Sequence, residues 1–244
     1  KQGVYLTNYG KELFPYIKNV QNSEEYLQQA VAQIGGMKKG VVRIGTFNSA
    51  CVEWMPSLLR GFEKDYPNIR IDIYQGSYDD VYQWLKDGIV DLGFLSSTSA
   101  GDLPCTPIYQ DKIICVAPQG FKTENEGYIT IEELKKQRFV TQREGCDADV
   151  NHVMNKYDLP GGGGSYIADD MSAVSLVMGG FGVCLMPELV IRNIPFPVEV
   201  IPLEVEEKRT IVLAYVRSDV LAPAVQKMQS YILESFQKKA EEEQ

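Results

Sequence analysis

A single histidine, His152, is all the imidazole in this chain of 244 residues, and the five cysteines, Cys51, Cys105, Cys115, Cys146 and Cys184, include no Cys-x-x-Cys pair. A zinc site needs several closely spaced ligands and a disulfide framework needs an even, dense set, so neither is expected to organise the fold and no metal site is assigned. Ser-His-Asp order and a phosphate-binding glycine loop are both missing, and His152 lies in a stretch with helical patterning, where a structural role outweighs a chemical one. The chain is therefore read as not an enzyme, with no catalytic residue and no cofactor. No apolar run reaches the ~20 residues that span a bilayer, and the first residues lack the basic and apolar regions of a signal peptide. A cytoplasmic protein with no membrane partner is the expectation. Positive charge is scarce as well: 24 Lys and Arg against 33 Asp and Glu leave a net charge of -9. Phosphate binding needs clustered cations, so these residues do not themselves build a nucleic-acid surface.

What is present is apolar material for a sizeable core, 44% of the residues, in a chain long enough for two lobes. The stretch 169–187 reads as a buried helix followed by a strand. Asp169, Asp170 and Ser172 supply the helix start, Gly179-Gly180 the stop, and Val183 to Met186 an apolar strand. Such a unit suits the wall of a ligand cleft as well as plain core.

Ahead of it, residues 7–34 form one long helical pattern with Thr7 as N-cap, Pro15 as a potential kink, and a stripe of Leu13, Ile17, Val20, Leu27, Val31 and Ile34. The stripe is narrow, and over about 42 Å at 1.5 Å per residue it suits a two-helix dimer seam, with a surface helix packed on its own domain as the competing reading. Gly35-Gly36 ends this helix and Lys38-Lys39-Gly40 reads as a short hinge. A strand-helix alternation follows: strand 41–44, helix 51–66, strand 69–74, helix 81–86 and strand 91–95. That order predicts an α/β fold with a parallel sheet, whose ligands bind beyond the carboxyl ends of the strands.

Three hydroxyl-bearing loops stand at those ends. They carry Ser49, Ser77, and Ser96 with Ser97, each near a helix start where free N–H groups favour an anion; an ordinary N-cap is the competing reading for any one of them. A strand at 111–117 leads into a polar loop, then a Thr130–Glu133 capping box with its helix, a strand at 139–141 and a helix at 147–156. Between these last two lies a loop through Gln142, Glu144 and Cys146. Gly161 to Gly164 is given no function. Strands at 198–201 and 210–216 precede a final helix from about Ala222, with Pro223 in its first turn and Val225, Met228, Ile232 and Phe236 on its inner face.

These residues resemble the LysR-type transcriptional regulator family. Residues 3–10, Gly-Val-Tyr-Leu-Thr-Asn-Tyr-Gly, are similar to the end of that family's winged helix-turn-helix, and the helix after them to its dimerising linker helix. Gly40-Val41-Val42-Arg43-Ile44-Gly45 resembles the start of its effector domain. Met55-Pro56, Phe62, Tyr66-Pro67, Leu85 with Gly88, Asp91-Leu92-Gly93 and the stretch Gly179 to Pro187 continue the likeness along nearly the whole chain.

The resemblance implies two Rossmann-like lobes of the periplasmic-binding-protein type joined by two crossover strands and preceded by a long dimerising linker helix. The expected domains are 1–40, the end of the winged helix and the linker; 41–114 plus 203–237, lobe I; 115–202, lobe II; and 238–244, a tail. It further implies a small-molecule effector, an organic acid or amino-acid-like metabolite, bound between the lobes. The effector-binding residues would be Ser49, Ser77, Ser96, Ser97, Thr141, Gln142, Glu144, Cys146, Asp170 and Ser172. Promoter DNA would be met through an N-terminal domain missing from this sequence, and the protein would be a homodimer or homotetramer. Two alternatives stand beside this: a redox-sensing regulator acting through Cys146, whose place before a helix would favour its thiolate, and the solute-binding protein of a transporter.

Overall fold

A computed structural model describes residues 4–34, 39–142, 147–161, 167–192, 195–215 and 221–242. Gly35, Gly36, Lys38, Glu144, Cys146 and Gly162 to Gly164 lie outside the described residues. The chain folds as two compact units, the first made of Lys1–Leu95, Ala100–Ile108 and Val212–Gln244, the second of Ser96–Ser99 and Tyr109–Ile211.

Unit 1 begins with α1 (Asn8–Ile34), which runs through Pro15. Thr7 caps it, its Oγ1 accepting the Gly10 N–H at 3.0 Å. β1 (Gly40–Thr46), α2 (Asn48–Asp65), β2 (Ile69–Gln75), α3 (Tyr78–Lys86) and β3 (Leu92–Ser96) follow. β1 is central and parallel to both neighbours, in register with β2 from Gly40↔Ile69 to Thr46↔Gln75 and with β3 at Ile44↔Leu92 and Gly45↔Gly93. The alternation of apolar strands with amphipathic helices dictates this arrangement, because each crossover helix must bury its apolar stripe on the sheet.

The final helix, α7 (Pro223–Glu242), closes the unit 1 core with Val225, Met228, Ile232 and Phe236, all buried. Trp54 of α2 packs edge-on against Phe236 at 4.7 Å and near Phe94 at 5.8 Å. α2 and α7 approach so closely at Gly61 that a Cβ there would lie 1.9 Å from Tyr231 Oη.

Unit 2 is built on β4 (Cys105–Pro118), which enters from unit 1 and pairs antiparallel with β5 (Cys184–Pro187) on one side and β6 (Val198–Pro202) on the other. Its period-2 alternation separates two apolar clusters. Ile113, Cys115 and Ala117 join Ile129, Leu134, Phe139, Val153 and Leu203. Ile114 and Val116 join Val140, Val174, Val177, Cys184 and Met186. Three short helices cover these clusters: α4 (Ile131–Lys135), started by the Thr130–Glu133 capping box, α5 (Ala148–Lys156) and α6 (Asp170–Met178). β7 (Lys208–Tyr215) then leaves unit 2 for unit 1.

Several boundaries differ from the sequence expectation. α2 starts at Asn48, not Cys51, and β3 extends through Ser96, so Ser49 and Ser96 sit inside elements instead of in loops. β4 starts six residues early, because residues 105–110 are only half covered and Pro107 disguises their strand pattern. The strand expected at 139–141 is reduced to isolated bridges, Phe139↔Val183 and Gln142↔Ile167. A 3-10 turn, Glu188–Val190, follows β5, and residues 238–242, expected as tail, continue α7 as helix.

Candidate functional site

In unit 2 the starts of α5 and α6 and the buried strand β5 line a small pocket, a cavity of ≈ 20 Å³ that opens outward. α5 contributes Asp147, Val150, Asn151 and Met154, spaced three and four apart on one helix face. α6 contributes Asp170 and Ala173, and the segment 140–142 contributes Val140, Thr141 and Gln142. The floor is the whole of β5 from Cys184 to Pro187.

Capping chemistry decides which acid of α6 reaches this pocket. Asp169 takes the N-cap, with Oδ1 accepting the Ser172 N–H at 2.9 Å and Oδ2 accepting the Ser172 hydroxyl at 2.7 Å. Those bonds hold the Asp169 carboxyl below the usual range. Ser172 is exposed, spends its hydroxyl on the cap and does not line the pocket. Asp170, one residue on, turns inward, and its Oδ1 accepts the Gln142 side-chain amide at 2.6 Å. The structure thus brings Thr141, Gln142 and Asp170 together.

α5 is capped by Asp147, whose Oδ1 accepts the N–H groups of Asp149 and Val150 at 3.1 and 3.0 Å. Asp147 is buried and its carboxyl is pushed up to about 6 by that burial, with Asp149 and Asp170 adding to the rise and Arg209 and the Val150 amide opposing it. Arg209 is itself buried, paired with buried Asp111 through Nη2 at 2.7 Å and Nε at 2.9 Å. Asp111 also accepts the Leu189 N–H at 3.0 Å. On the other side of α5, Asp149 Oδ1 accepts the Thr98 hydroxyl at 3.0 Å, and Ser96 Oγ in turn lies 3.0 Å from Thr98 Oγ1. Ser96 is fully buried in this chain of hydroxyls, whereas the Ser97 side chain is exposed and its backbone N–H donates to Thr210 O at 2.8 Å.

Unit 1 holds the other expected site residues. Ser49 is buried in the first turn of α2, beyond β1. Ser77 follows β2 as the N-cap of α3, where its Oγ accepts the Asp80 N–H at 3.2 Å and donates to Asp80 Oδ2 at 2.7 Å. Phe47 and Tyr78, next to these serines, meet edge-to-face at 4.8 Å and set the spacing of the two strand exits.

Asp147, Asn151, Asp111 and Arg209 were not anticipated from the sequence. Asp147 and Asn151 carried a signal, since they share a helical face with Val150 and Met154; the pairing of Arg209 with Asp111 joins residues 98 positions apart and had none.

The LysR substrate-binding domain family matches residues 35–237. The chain belongs to this family. Among curated relatives, the transcriptional dual regulator GltC of Bacillus subtilis (strain 168) is 24% identical over 247 aligned positions, covering 97% of this chain and 81% of GltC. The effector-binding domain of QuiR in complex with shikimate superposes with a TM-score of 0.73 at 19% identity, over 82% of this chain and 98% of that one. Full-length CbnR, in a complex with its target DNA, superposes with a TM-score of 0.69 at 14% identity, over 96% of this chain and 85% of that one. The mixed α/β fold is therefore that of LysR effector-binding domains, and the chain is the effector-binding part of a LysR-type transcriptional regulator, a reading supported over a solute-binding protein or a redox sensor. Two thiols of this LysR-family chain, Cys115 and Cys184, are buried and pushed upward by desolvation, Cys115 to about 12.

Proposed function

We propose that the unit 2 pocket binds the effector, an organic acid or amino-acid-like metabolite, and that the bound state is relayed to promoter DNA through oligomer rearrangement. Support comes from one arrangement above all: Gln142, Asp170 and Asp147 converge on a pocket at two helix starts, in a chain whose family senses ligands. The carboxylates of Asp147 and Asp170 suit ammonium or hydroxyl donors of a ligand, and the Gln142 and Asn151 amides and the Thr141 hydroxyl suit its carboxyl or hydroxyl groups. Of the other expected effector residues, Ser49, Ser77, Ser96, Ser97 and Ser172 do not line this pocket, and Glu144 and Cys146 lie outside the described residues.

The response is a population shift. An effector alters the balance of conformations only by its differential affinity for them, typically ~1–3 kcal/mol of coupling. DNA is read by a winged helix-turn-helix N-terminal to α1, and α1 joins two copies through its outward apolar stripe. No chemistry is carried out on the ligand, and the regulator works in the cytoplasm; among the described residues no helix is long and apolar enough to cross a membrane.

A thermal-shift screen of organic acids and amino acids on this chain tests the proposal. A true effector at about 100 times its Kd stabilises by ~2.7 kcal/mol and raises the melting temperature by several degrees. Gln142→Leu and Asp170→Asn should abolish that rise. Retention of the full shift by both variants would place the effector elsewhere.

A further inference from the structure

The face of α1 that packs on the rest of unit 1 is polar. Asn22 and Gln29 are its buried residues, with Glu25 and Tyr26 half-buried between them, one helical face at steps of three and four. The apolar residues Leu13, Ile17, Val20, Leu27, Val31 and Ile34 all point outward, between 56% and 89% exposed.

The contact is made by a small network. Asn22 Nδ2 donates to Gly88 O at 2.8 Å, and Tyr26 Oη donates to Asp91 Oδ1 at 3.0 Å. Arg43 Nη2 donates to both oxygens of Glu25, at 2.7 and 3.1 Å, while the Arg43 backbone N–H donates to Asp91 Oδ2 at 2.7 Å. Asp91 is 3% exposed, so a single buried carboxylate is shared by the helix and by β1. Such bonds fix register sharply, since a displaced helix would strand a buried charge.

Yet the contact is incomplete. Asn22 Oδ1 and Gln29 Oε1 are buried with no hydrogen-bond partner among the described residues. A permanent core face would be apolar, and a polar face that keeps unpaired acceptors loses their hydration without compensation. Docking of this kind is specific and weakly held. Its position adds to this: Arg43 lies in β1, whose chain continues to Ser49, and Asp91 immediately precedes β3, which ends at Ser96. The network thus lies on the segments that lead to Ser49 and Ser96, two residues that the family likeness marks for effector binding.

We propose that α1 is held on unit 1 by a reversible polar latch, Glu25–Arg43–Asp91 with Tyr26 and Asn22, and that opening of this latch is a step distinct from unfolding of the domain. The link to effector binding rests on the proposed function; the opening itself is present without any effector and is tested without one.

Hydrogen–deuterium exchange of the effector-free chain reads it directly. Segments 22–29 and 87–91 should exchange together and at least tenfold faster than the amides of β1, β3 and α7. Tyr26→Phe, which keeps the ring packing, and the double variant Glu25→Gln/Tyr26→Phe should speed both segments by a further tenfold or more while leaving α7 unchanged. Glu24→Ala, at an exposed position of α1 outside both the latch and the apolar stripe, should not speed exchange at 87–91. Exchange of 87–91 at the rate of the core in the unaltered chain would overturn the latch, and so would Tyr26→Phe variants that accelerate every segment equally or none. Because no ligand enters the measurement, a negative result here leaves the effector pocket standing, and a failed ligand screen leaves the latch standing.

Discussion

Arg209 Nη1 and Asp147 Oδ2 lie 3.9 Å apart inside unit 2, too far for a direct hydrogen bond between those atoms and close enough to interact strongly in a dry interior. The same guanidinium grips Asp111, so one buried cation is shared by two acids on different elements, one of them lining the pocket. The pocket and the strands β4 and β7 are thereby joined in one electrostatic unit.

The first consequence is a pH dependence. Burial raises the Asp147 carboxyl to about 6, above its value in an unfolded chain. Between pH ~4 and 6 the folded protein therefore holds a proton that the unfolded chain has released, so this group's contribution to stability is full below that window and falls as pH rises through it. At ~1.4 kcal/mol per pKa unit the loss is at most about 3 kcal/mol. Asp147→Asn keeps the helix cap and removes the titration. In urea denaturation, its stability relative to the unaltered chain should improve by ~2–3 kcal/mol between pH 4 and pH 7. A pH-independent difference would show that Asp147 is not held proton-bound.

Removing the cation should be costly. Arg209→Met leaves Asp111 and Asp147 buried without their counter-charge, and breaking a buried pair from one side costs roughly 3–5 kcal/mol. Replacing both partners of the pair, Arg209→Met with Asp111→Leu, should recover the part of the loss that comes from Asp111, while Asp147 stays buried without its counter-charge. Equal destabilisation in the single and double variants, read from chemical denaturation midpoints, would argue that packing and not charge dominates at this position.

How far such relationships could be read from the sequence depends on their range. The parallel order of β1, β2 and β3, the Thr130–Glu133 box, the Thr7 cap and the inner face of α7 all follow from local pattern, and the structure has them. Asp170 was singled out at a helix start and Gln142 in the loop after the expected strand at 139–141, and the structure joins the two by a hydrogen bond. At Ser172 and Ser77 the hydroxyls proved to be engaged in caps, an outcome that residue type alone leaves open. Arg209 with Asp111, and Glu25 with Arg43 and Asp91, join residues far apart in the chain, and no spacing rule reaches them. β4 was shortened because its first half is only partly covered and breaks the apolar run on which strand detection relies.

The glycines that close the helix-to-strand unit in 169–187 divide into two kinds. Gly180 sits at φ +79 with nothing within 4 Å of a Cβ, so Gly180→Ala should cost only the ~1–2 kcal/mol of a left-handed residue. Gly182, at φ +141, would place a Cβ 2.2 Å from the carbonyl oxygen of Arg138, the group that accepts the Val183 N–H at 2.9 Å. Gly182→Ala should therefore cost clearly more, at least about 3 kcal/mol, and should disturb the floor of the pocket at Cys184 and Leu185. Melting curves of the two variants decide between backbone strain alone and close approach.

The outward stripe of α1 sets the last prediction. Val20 and Val31 are 72% and 60% exposed in the single chain, so neither supports the fold of unit 1. Substituting glutamate at both sites keeps helix propensity and alters folding stability by no more than about 0.5 kcal/mol per site. In a two-helix seam the same change buries like charges against an apolar partner, which association cannot tolerate. Sedimentation equilibrium across a concentration series should accordingly show self-association in the unaltered chain and at least a hundredfold weaker association in Val20→Glu/Val31→Glu, with unchanged circular dichroism. Persistence of the same oligomer in the variant would mean that this stripe is not the seam and that another surface holds the copies together.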